Sequence, residues 1–370
     1  MVIFRLKFMQ FAPLNTWLSS PSQPLIIAGP CGAESLEQLL NTAKQLAELN
    51  KIALFRAGVW KPRTRPNAFE GRGEEALKWL QEVKKQFNLK TTVEVANAHH
   101  TELALKYGID VLWIGARTTV NPFSVQEIAD VLKGVDIPVM VKNPIHADLQ
   151  LWIGAIERVY NSGTNKIAAI HRGFHPDSYR DGKTKYRNKP MWQIPIELKT
   201  QFPDLPIICD PSHISGNTEL IYSVGQKALD LGMSGLMIES HFDPSAALSD
   251  AQQQLTPQQL NELVNKFILR KENTDDAVVL DKLTQLRSMI DEIDEELINV
   301  LKKRTQIISE IGSYKKEHNI TIFQLERWQE ILKTRAQWAE KIGVSRNHIE
   351  KLCQLLHDES IKIQNDVMNR

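Results

Sequence analysis

Eight short apolar runs recur along the first two thirds of the chain, at residues 25–28, 53–56, 92–96, 111–114, 138–141, 167–170, 206–209 and 235–238. Segments with helical periodicity lie between or after them, clearest at 36–49, 74–87, 149–160, 219–231 and 257–269. Strands buried on both faces read as continuous apolar runs rather than alternating ones, which is the mark of a parallel sheet. Strand and helix repeated eight times over about 250 residues is the pattern of a (β/α)8 TIM barrel. The competing arrangement is an open doubly wound sheet, but no Gly-rich nucleotide turn follows the first run.

The texture changes after residue 269. The polar stretch Lys271-Glu272-Asn273-Thr274-Asp275-Asp276 reads as a linker, and no strand candidate follows it. From 283 to 317, Leu286, Ile290, Ile293, Leu297, Val300, Leu301, Ile307, Ile308 and Ile311 recur at spacings of three and four. They predict one amphipathic helix of about 35 residues. A shorter helix over 324–342 and a third from 346 onward, N-capped by Ser345, complete the chain. The expected division is a barrel domain over 1–270, a linker over 271–279 and a separate all-α domain over 280–370. Three helices, one very long, bury little alone, so an intertwined helical dimer is expected.

Composition excludes several classes of function. A formal net charge of +1 favours neither nucleic acid nor an anionic membrane surface. No apolar run approaches the length of a membrane span. Cys31, Cys209 and Cys353 are scattered without a C-x-x-C pair, which suits a reducing cytoplasm. Phe4, Leu6 and Phe8 alternate with Arg5 and Lys7, predicting a short hairpin rather than a signal peptide.

In a barrel, catalytic groups gather at the C-terminal ends of the strands. Every run here ends on residues that do chemistry: Gly29-Pro30-Cys31, Arg56, Glu94, Gly115-Ala116-Arg117, Lys142, Arg172, Asp210-Pro211-Ser212-His213 and Glu239-Ser240-His241. The second continues into Lys61-Pro62-Arg63-Thr64, a proline-stiffened cationic loop. Arg56, Lys61, Arg63, Arg117, Lys142 and Arg172 would form a positive pocket suited to phosphorylated and carboxylated ligands. Cys31, His213, Glu239 and Asp250 offer thiolate, imidazole and carboxylate donors, a mixed set that suits a divalent transition ion rather than magnesium. Taken singly, Cys31 reads as a small buried side chain and His213 as a satisfied core histidine. Their places beyond different strands outweigh that. Cys209 and Cys353 read as packing, and His99, His100, His146 and His175 as loop residues without a role.

These motifs, in this order across residues 25–255, resemble the 3-deoxy-D-arabino-heptulosonate 7-phosphate (DAHP) synthases, in the short bacterial form of the barrel. The resemblance implies condensation of phosphoenolpyruvate with erythrose 4-phosphate, the entry to the shikimate pathway. It implies Cys31, His213, Glu239 and Asp250 as ligands of one divalent metal ion, such as Mn, Co, Fe or Zn. The metal would act as a Lewis acid on the aldehyde. Arg117, Lys142 and Arg172, beside Ala116, would hold the phosphate of phosphoenolpyruvate, and Arg56 and Lys61 its carboxylate. Arg63 and Thr64 would hold the aldose phosphate, and Lys61 and Glu94 would move protons. The Lys-Pro-Arg-Thr loop argues against the related eight-carbon sugar acid synthases. Gly32 departs from a common serine.

In the C-terminal region, at about 100° per residue, Arg304 and Lys315 fall on nearly one helix face. Ser360 and Gln364 share another, and Gln324 and Arg327 lie three apart. With Leu286-Arg287, Asp294 and Gly312, these positions resemble the all-helical chorismate mutase domain. Arg304 and Arg287 from the partner chain would bind the two carboxylates of chorismate. Lys315 and Gln364 would donate to the ether oxygen, with Gln324, Arg327 and Ser360 completing the site. Trp328 and Gln324 stand where acids are common, which predicts a modest mutase rate. The expectation is therefore a bifunctional homo-oligomer, at least dimeric, making prephenate and using it as an inhibitor. The alternative is a single synthase whose helical domain only senses ligand and dimerises.

Overall fold

The computed structural model describes residues 9–62, 68–176, 185–271 and 273–369. The chain divides into two compact units, Met1–Glu272 and Asn273–Arg370. In the first, the elements run α1 (Leu14–Trp17), β1 (Leu25–Gly29), α2 (Leu36–Glu48), β2 (Leu54–Ala57), α3 (Glu74–Phe87), β3 (Thr91–Val95), α4 (Ala98–Lys106) and β4 (Val111–Ile114). They continue with α5 (Ala116–Thr119), α6 (Pro122–Val131), β5 (Val139–Lys142), α7 (Leu149–Asn161), β6 (Ile167–His171), α8 (Gln193–Gln201), β7 (Ile207–Cys209), α9 (Pro211–Ser215), α10 (Ile221–Asp230), β8 (Gly235–Glu239) and α11 (Pro257–Lys266). The eight strands form a closed, all-parallel barrel in sequence order. The open-sheet alternative is thereby excluded.

Strand side chains alternate between the barrel interior and the surrounding helices. The helix-facing set, including Ile26, Ala28, Phe55, Val93, Leu112, Ile114 and Val141, joins the larger apolar core. The interior set forms a second core from Leu25, Ile27, Leu54, Val111, Trp113, Met140, Ala168, Ile170, Ile208 and Met237, with Trp17 and Leu18 of the α1 segment packed on it. This alternation positions the site. Two residues beyond the last apolar interior side chain come Arg56 after Leu54, Lys142 after Met140, Arg172 after Ile170, Asp210 after Ile208 and Glu239 after Met237. One ring of interior positions is therefore apolar and the next carries charge.

Local signals fix the surrounding helices. Ser35 caps α2 by accepting from the Gln38 N–H, and Asp148 caps α7 from Leu151. Thr256 and Gln259 form a capping box behind Pro257 at the start of α11. Asn97 likewise caps α4, so His99 and His100 are helical rather than loop residues. His100 stacks on Trp60 with ring centroids 4.0 Å apart. The hairpin expected in the first eight residues lies outside the described residues, as do Arg63 and Thr64.

The second unit is α12 (Ala277–Glu317), α13 (Leu325–Lys341) and α14 (Arg346–Met368). Helix α12 begins inside the stretch expected to be linker, because Asp276 accepts from the Val278 and Val279 N–H groups and starts it. Ser345 occupies the N-cap of α14 but its side chain makes no capping bond. Few of the described residues of this unit are buried in the single chain: Gly312, Ala336, Ala339, Cys353, Ser360 and Gln364. Along α12, Leu286, Ile290, Ile293, Leu297 and Val300 are exposed. Among the described residues no helix is long and apolar enough to cross a membrane.

Candidate active sites

At the C-terminal mouth of the barrel a cavity of about 230 Å³ is lined by Cys31, Arg56, Trp60, Lys61, Glu94, Trp113, Ala116, Arg117, Lys142, Arg172, Arg187, His213 and Asp250, among others. Two glycines make the approach of its walls possible. Gly29 has φ +147, and a Cβ there would stand 2.1 Å from the Arg56 carbonyl oxygen. At Gly115 a Cβ would meet Glu94 Oε1 at 2.0 Å. Gly32, the departure noted above, lies where a Cβ would approach Phe69 at 3.0 Å and Lys61 Cδ at 3.3 Å. A serine there would crowd the lysine stem.

The cations do not stand uncompensated, as the residue types alone suggested. Arg56 Nη2 lies 3.1 Å from Glu239 Oε1, and Lys142 donates to Asp210 Oδ2 at 2.9 Å, all four side chains being buried. Buried like charges would repel, so two carboxylates have been built into the floor. Burial pushes Asp210 upward, but His213 and Lys142 outweigh it and hold its carboxyl well below the usual range. Glu239 is likewise lowered despite burial, by His213, Arg56 and Lys61. Donor capacity still remains. Arg56 Nε and Nη1 are buried without a hydrogen-bond partner. Arg172 is held by Asn188 Oδ1 at 3.0 Å and by its neighbour's carbonyl, and burial lowers its guanidinium to about 10.

The four donors expected to hold a metal line or border this cavity. Cys31 Sγ donates to Asp250 Oδ2 at 3.1 Å, and His213 Nε2 lies 3.7 Å from Glu239 Oε1. His213 Nδ1 sits 2.8 Å from Asp210, which leaves Nε2 as the nitrogen turned toward Glu239. A carboxylate behind the imidazole is the usual support of a metal-binding histidine. Glu239 Oε1 is buried and makes no hydrogen bond. Lys61 Nζ donates to Cys31 Sγ at 2.7 Å, while burial and Glu239 push that thiol up to about 12. Among the described residues no three donors are yet arranged around one point for an ion. The donor types, the supported imidazole and a buried Glu239 Oε1 held only by its ion pairs to Arg56 and His213 nonetheless fit a divalent transition ion.

Three lining residues carried no sequence assignment. Trp60 and Trp113 were read only as part of a loop and a strand. Arg187 pairs with Asp250 Oδ1 at 3.0 Å and Gln253 Oε1 at 2.7 Å. It lies in the long β6–α8 connection, where no periodicity announces it. Asp210, named only within its motif, supports both Lys142 and His213.

In the helical unit, α12 and α14 meet closely at Gly312, where a Cβ would lie 3.3 Å from Gln364 Cα. Gln364 Oε1 is buried without a hydrogen-bond partner. Ser360 lies one turn earlier and donates to Leu356 O. Lys315, three residues beyond Gly312, donates to Ile322 O at 2.6 Å. Arg304 is half-buried, and burial lowers its guanidinium. Trp328 packs against His357 with ring centroids 4.1 Å apart and the planes tilted by 32°. Arg287 and Gln324 are exposed, and Arg327 pairs with Glu330 on the surface. Within one chain Arg304 and Lys315 lie on α12 and Ser360 and Gln364 on α14, which packs against it, while Arg287, Gln324 and Arg327 are exposed.

Residues 19–275 match the DAHP synthetase I family. The chain belongs to that family. Residues 286–365 match chorismate mutase type II. The chain is thus a bifunctional enzyme of the shikimate pathway, a DAHP synthase (a transferase) fused to a chorismate mutase (an isomerase). It is 32% identical over 242 residues to the phospho-2-dehydro-3-deoxyheptonate aldolase of Thermotoga maritima, covering 65% of this chain and 68% of that one. The crystal structure of the Thermotoga DAHP synthase superposes with a TM-score of 0.58 at 30% identity, covering 65% and 67% of the two chains. A more distant relative is the 2-dehydro-3-deoxyphosphooctonate aldolase of Helicobacter pylori, 29% identical over 69% of this chain and 98% of that one.

Proposed function

We propose that the barrel mouth binds phosphoenolpyruvate over the Arg56–Trp113–Lys142 floor and condenses it there with erythrose 4-phosphate. The observation that carries this reading is the pair of buried Arg56 donors without partners, in a cavity also lined by Lys61, Lys142 and Arg172. Lys142, Arg172 and Arg117 hold the phosphate, with Ala116 beside them. Arg56 and Lys61 hold the carboxylate, and Arg63 and Thr64 the aldose phosphate. These contacts orient C3 of the enol ester toward the aldehyde carbon and exclude bulk water. Cys31, His213, Glu239 and Asp250 would hold the divalent metal, which supplies Lewis acidity to the aldehyde oxygen. Water then adds at C2, with Glu94 and Lys61 positioning it and moving its proton. Collapse of the resulting hemiketal phosphate releases inorganic phosphate. Arg172→Ala tests the pocket without breaking either buried ion pair of the floor. It should raise the KM for phosphoenolpyruvate by about 10–100-fold, the worth of a charged hydrogen bond, and leave mutase kinetics unchanged. An unchanged KM would contradict the phosphate assignment.

In the helical domain, Lys315 and Gln364 donate to the ether oxygen of chorismate as it gains charge, and Arg304 binds a carboxylate. Gln324, Arg327 and Ser360 complete the surround. Arg287 lies 28 residues before Lys315 on one helix, about 42 Å away at 1.5 Å per residue. It therefore serves a partner's site, which requires a dimer. The exposed apolar face of α12 supports that assembly. A cytoplasmic location accords with the free cysteines.

The mutase domain also regulates the barrel. Prephenate should inhibit condensation in the intact chain, and Arg304→Ala should relieve that inhibition. Such coupling amounts to about 1–3 kcal/mol, or roughly 5–150-fold in affinity. A condensation rate indifferent to saturating prephenate would refute regulation while leaving both activities in place.

A further inference from the structure

Trp113 floors the proposed pocket without a chemical role in the steps above, yet it lies against three charged groups there. It is the last interior side chain of β4 and is 1% exposed. The next interior position is Gly115, so no side chain of its own strand covers the ring on the cavity side. Arg56 Cζ lies 5.2 Å from its ring centroid and Lys142 Nζ 5.7 Å. Its Nε1 donates to Glu94 Oε2 at 2.9 Å, across the β3–β4 register that pairs Glu94 with Trp113.

This arrangement solves an electrostatic problem. Arg56 and Lys142 must both aim at one anion, and they repel each other before it arrives. Glu239 and Asp210 each draw one of them away toward a different wall. An aromatic ring attracts both cations through its quadrupole while contributing no net charge that would repel the substrate. The indole N–H lies at the ring edge and fixes the carboxylate proposed to handle the proton. We infer that Trp113 is a positioning residue: its ring sets the separation of Arg56 and Lys142, and its N–H sets the orientation of Glu94. The inference rests on the reading of this cavity as the phosphoenolpyruvate site.

The two halves of the role separate by substitution in the full-length chain. Trp113→Phe keeps an aromatic ring and removes the N–H. Trp113→Leu removes both. Condensation kinetics and equilibrium binding of phosphoenolpyruvate are measured for each, with the mutase rate as a control on the intact chain. Trp113→Phe should keep the KM for phosphoenolpyruvate within about 3-fold of the parent and lower kcat by about 10-fold, the worth of a charged hydrogen bond. Trp113→Leu should in addition raise KM and the dissociation constant by about 10-fold, from two lost cation–π contacts. In a Glu94→Gln background, Trp113→Phe should have little further effect on kcat. That last comparison does not depend on the leucine variant folding. Full additivity of Trp113→Phe and Glu94→Gln, or a phenylalanine variant with parental kcat, would overturn the N–H role. A folded leucine variant with parental KM would overturn the ring role. If the parent chain itself neither binds nor turns over phosphoenolpyruvate, the pocket assignment fails, and this inference with it. If the parent is active and the Trp113 variants match it, this inference alone fails.

Discussion

Cys31→Ala should abolish condensation and leave the mutase at its parental rate. Removal of divalent metal with a chelator should do the same. Cys31 is buried in the barrel mouth beside Asp250, and its three companion donors also belong to the barrel. The buried groups of the helical unit, Ser360, Gln364 and Cys353, offer no comparable set, and a pericyclic rearrangement needs no metal. Loss of several kcal/mol of charge stabilisation at the aldehyde corresponds to a fall in rate of about 10³-fold or more. Metal content by elemental analysis and phosphoenolpyruvate consumption are measured together. A Cys31→Ala chain with parental metal content and rate would show that the ligand set is wrong.

The second large effect belongs to the helical domain. Lys315→Ala and Gln364→Ala should each lower the mutase kcat by about 10²–10³-fold, as expected for removing a donor aimed at developing charge. Neither change should disturb condensation in the absence of prephenate. Lys315 now donates to the Ile322 carbonyl and Gln364 Nε2 to the Ser360 carbonyl at 3.3 Å, so each donor holds a backbone oxygen that the ligand's ether oxygen would replace. Arg287→Ala should impair turnover as well, despite its place at the far end of α12. Mixed dimers of Arg287→Ala and Lys315→Ala chains should regain part of the activity, because one of the two sites is then intact. Verified heterodimers without recovery would exclude sites shared between protomers.

The barrel was legible because burial on both faces makes each of its strands a continuous apolar run. Its charged ring was legible because catalytic residues sit just past those runs. The counter-charges were not. Glu239 was assigned only to metal and Asp210 to nothing, since a linear motif does not say which carboxylate faces which cation across the barrel. The interior alternation places these carboxylates among the cations, since Leu54–Arg56, Ile208–Asp210 and Met237–Glu239 count off the same two steps, but the pairing itself comes from the barrel's closure. The same count marks Trp113 as interior, a signal present in the sequence and hidden by reading the run 111–114 as core alone. Arg187 had no such signal, because its pairing with Asp250 is a contact between residues 63 positions apart that no local periodicity marks. In the helical region the apolar period gave the elements within a few residues. It placed the start of α12 too late, because Asp276 caps a turn whose Val278 and Val279 look like linker flanks. In the proposed dimer, Arg287 and Lys315, about 42 Å apart along α12, would meet at one site across two chains.

The most direct measurement is a paired assay of the purified intact chain: consumption of phosphoenolpyruvate with erythrose 4-phosphate, and conversion of chorismate to prephenate, each with and without chelator. The account predicts both activities in untreated protein, with condensation lost on chelation and restored by a divalent transition ion while the mutase rate stays constant. Condensation persisting in metal-stripped protein, or a mutase that fails when the metal is removed, would contradict two chemically independent sites on one chain.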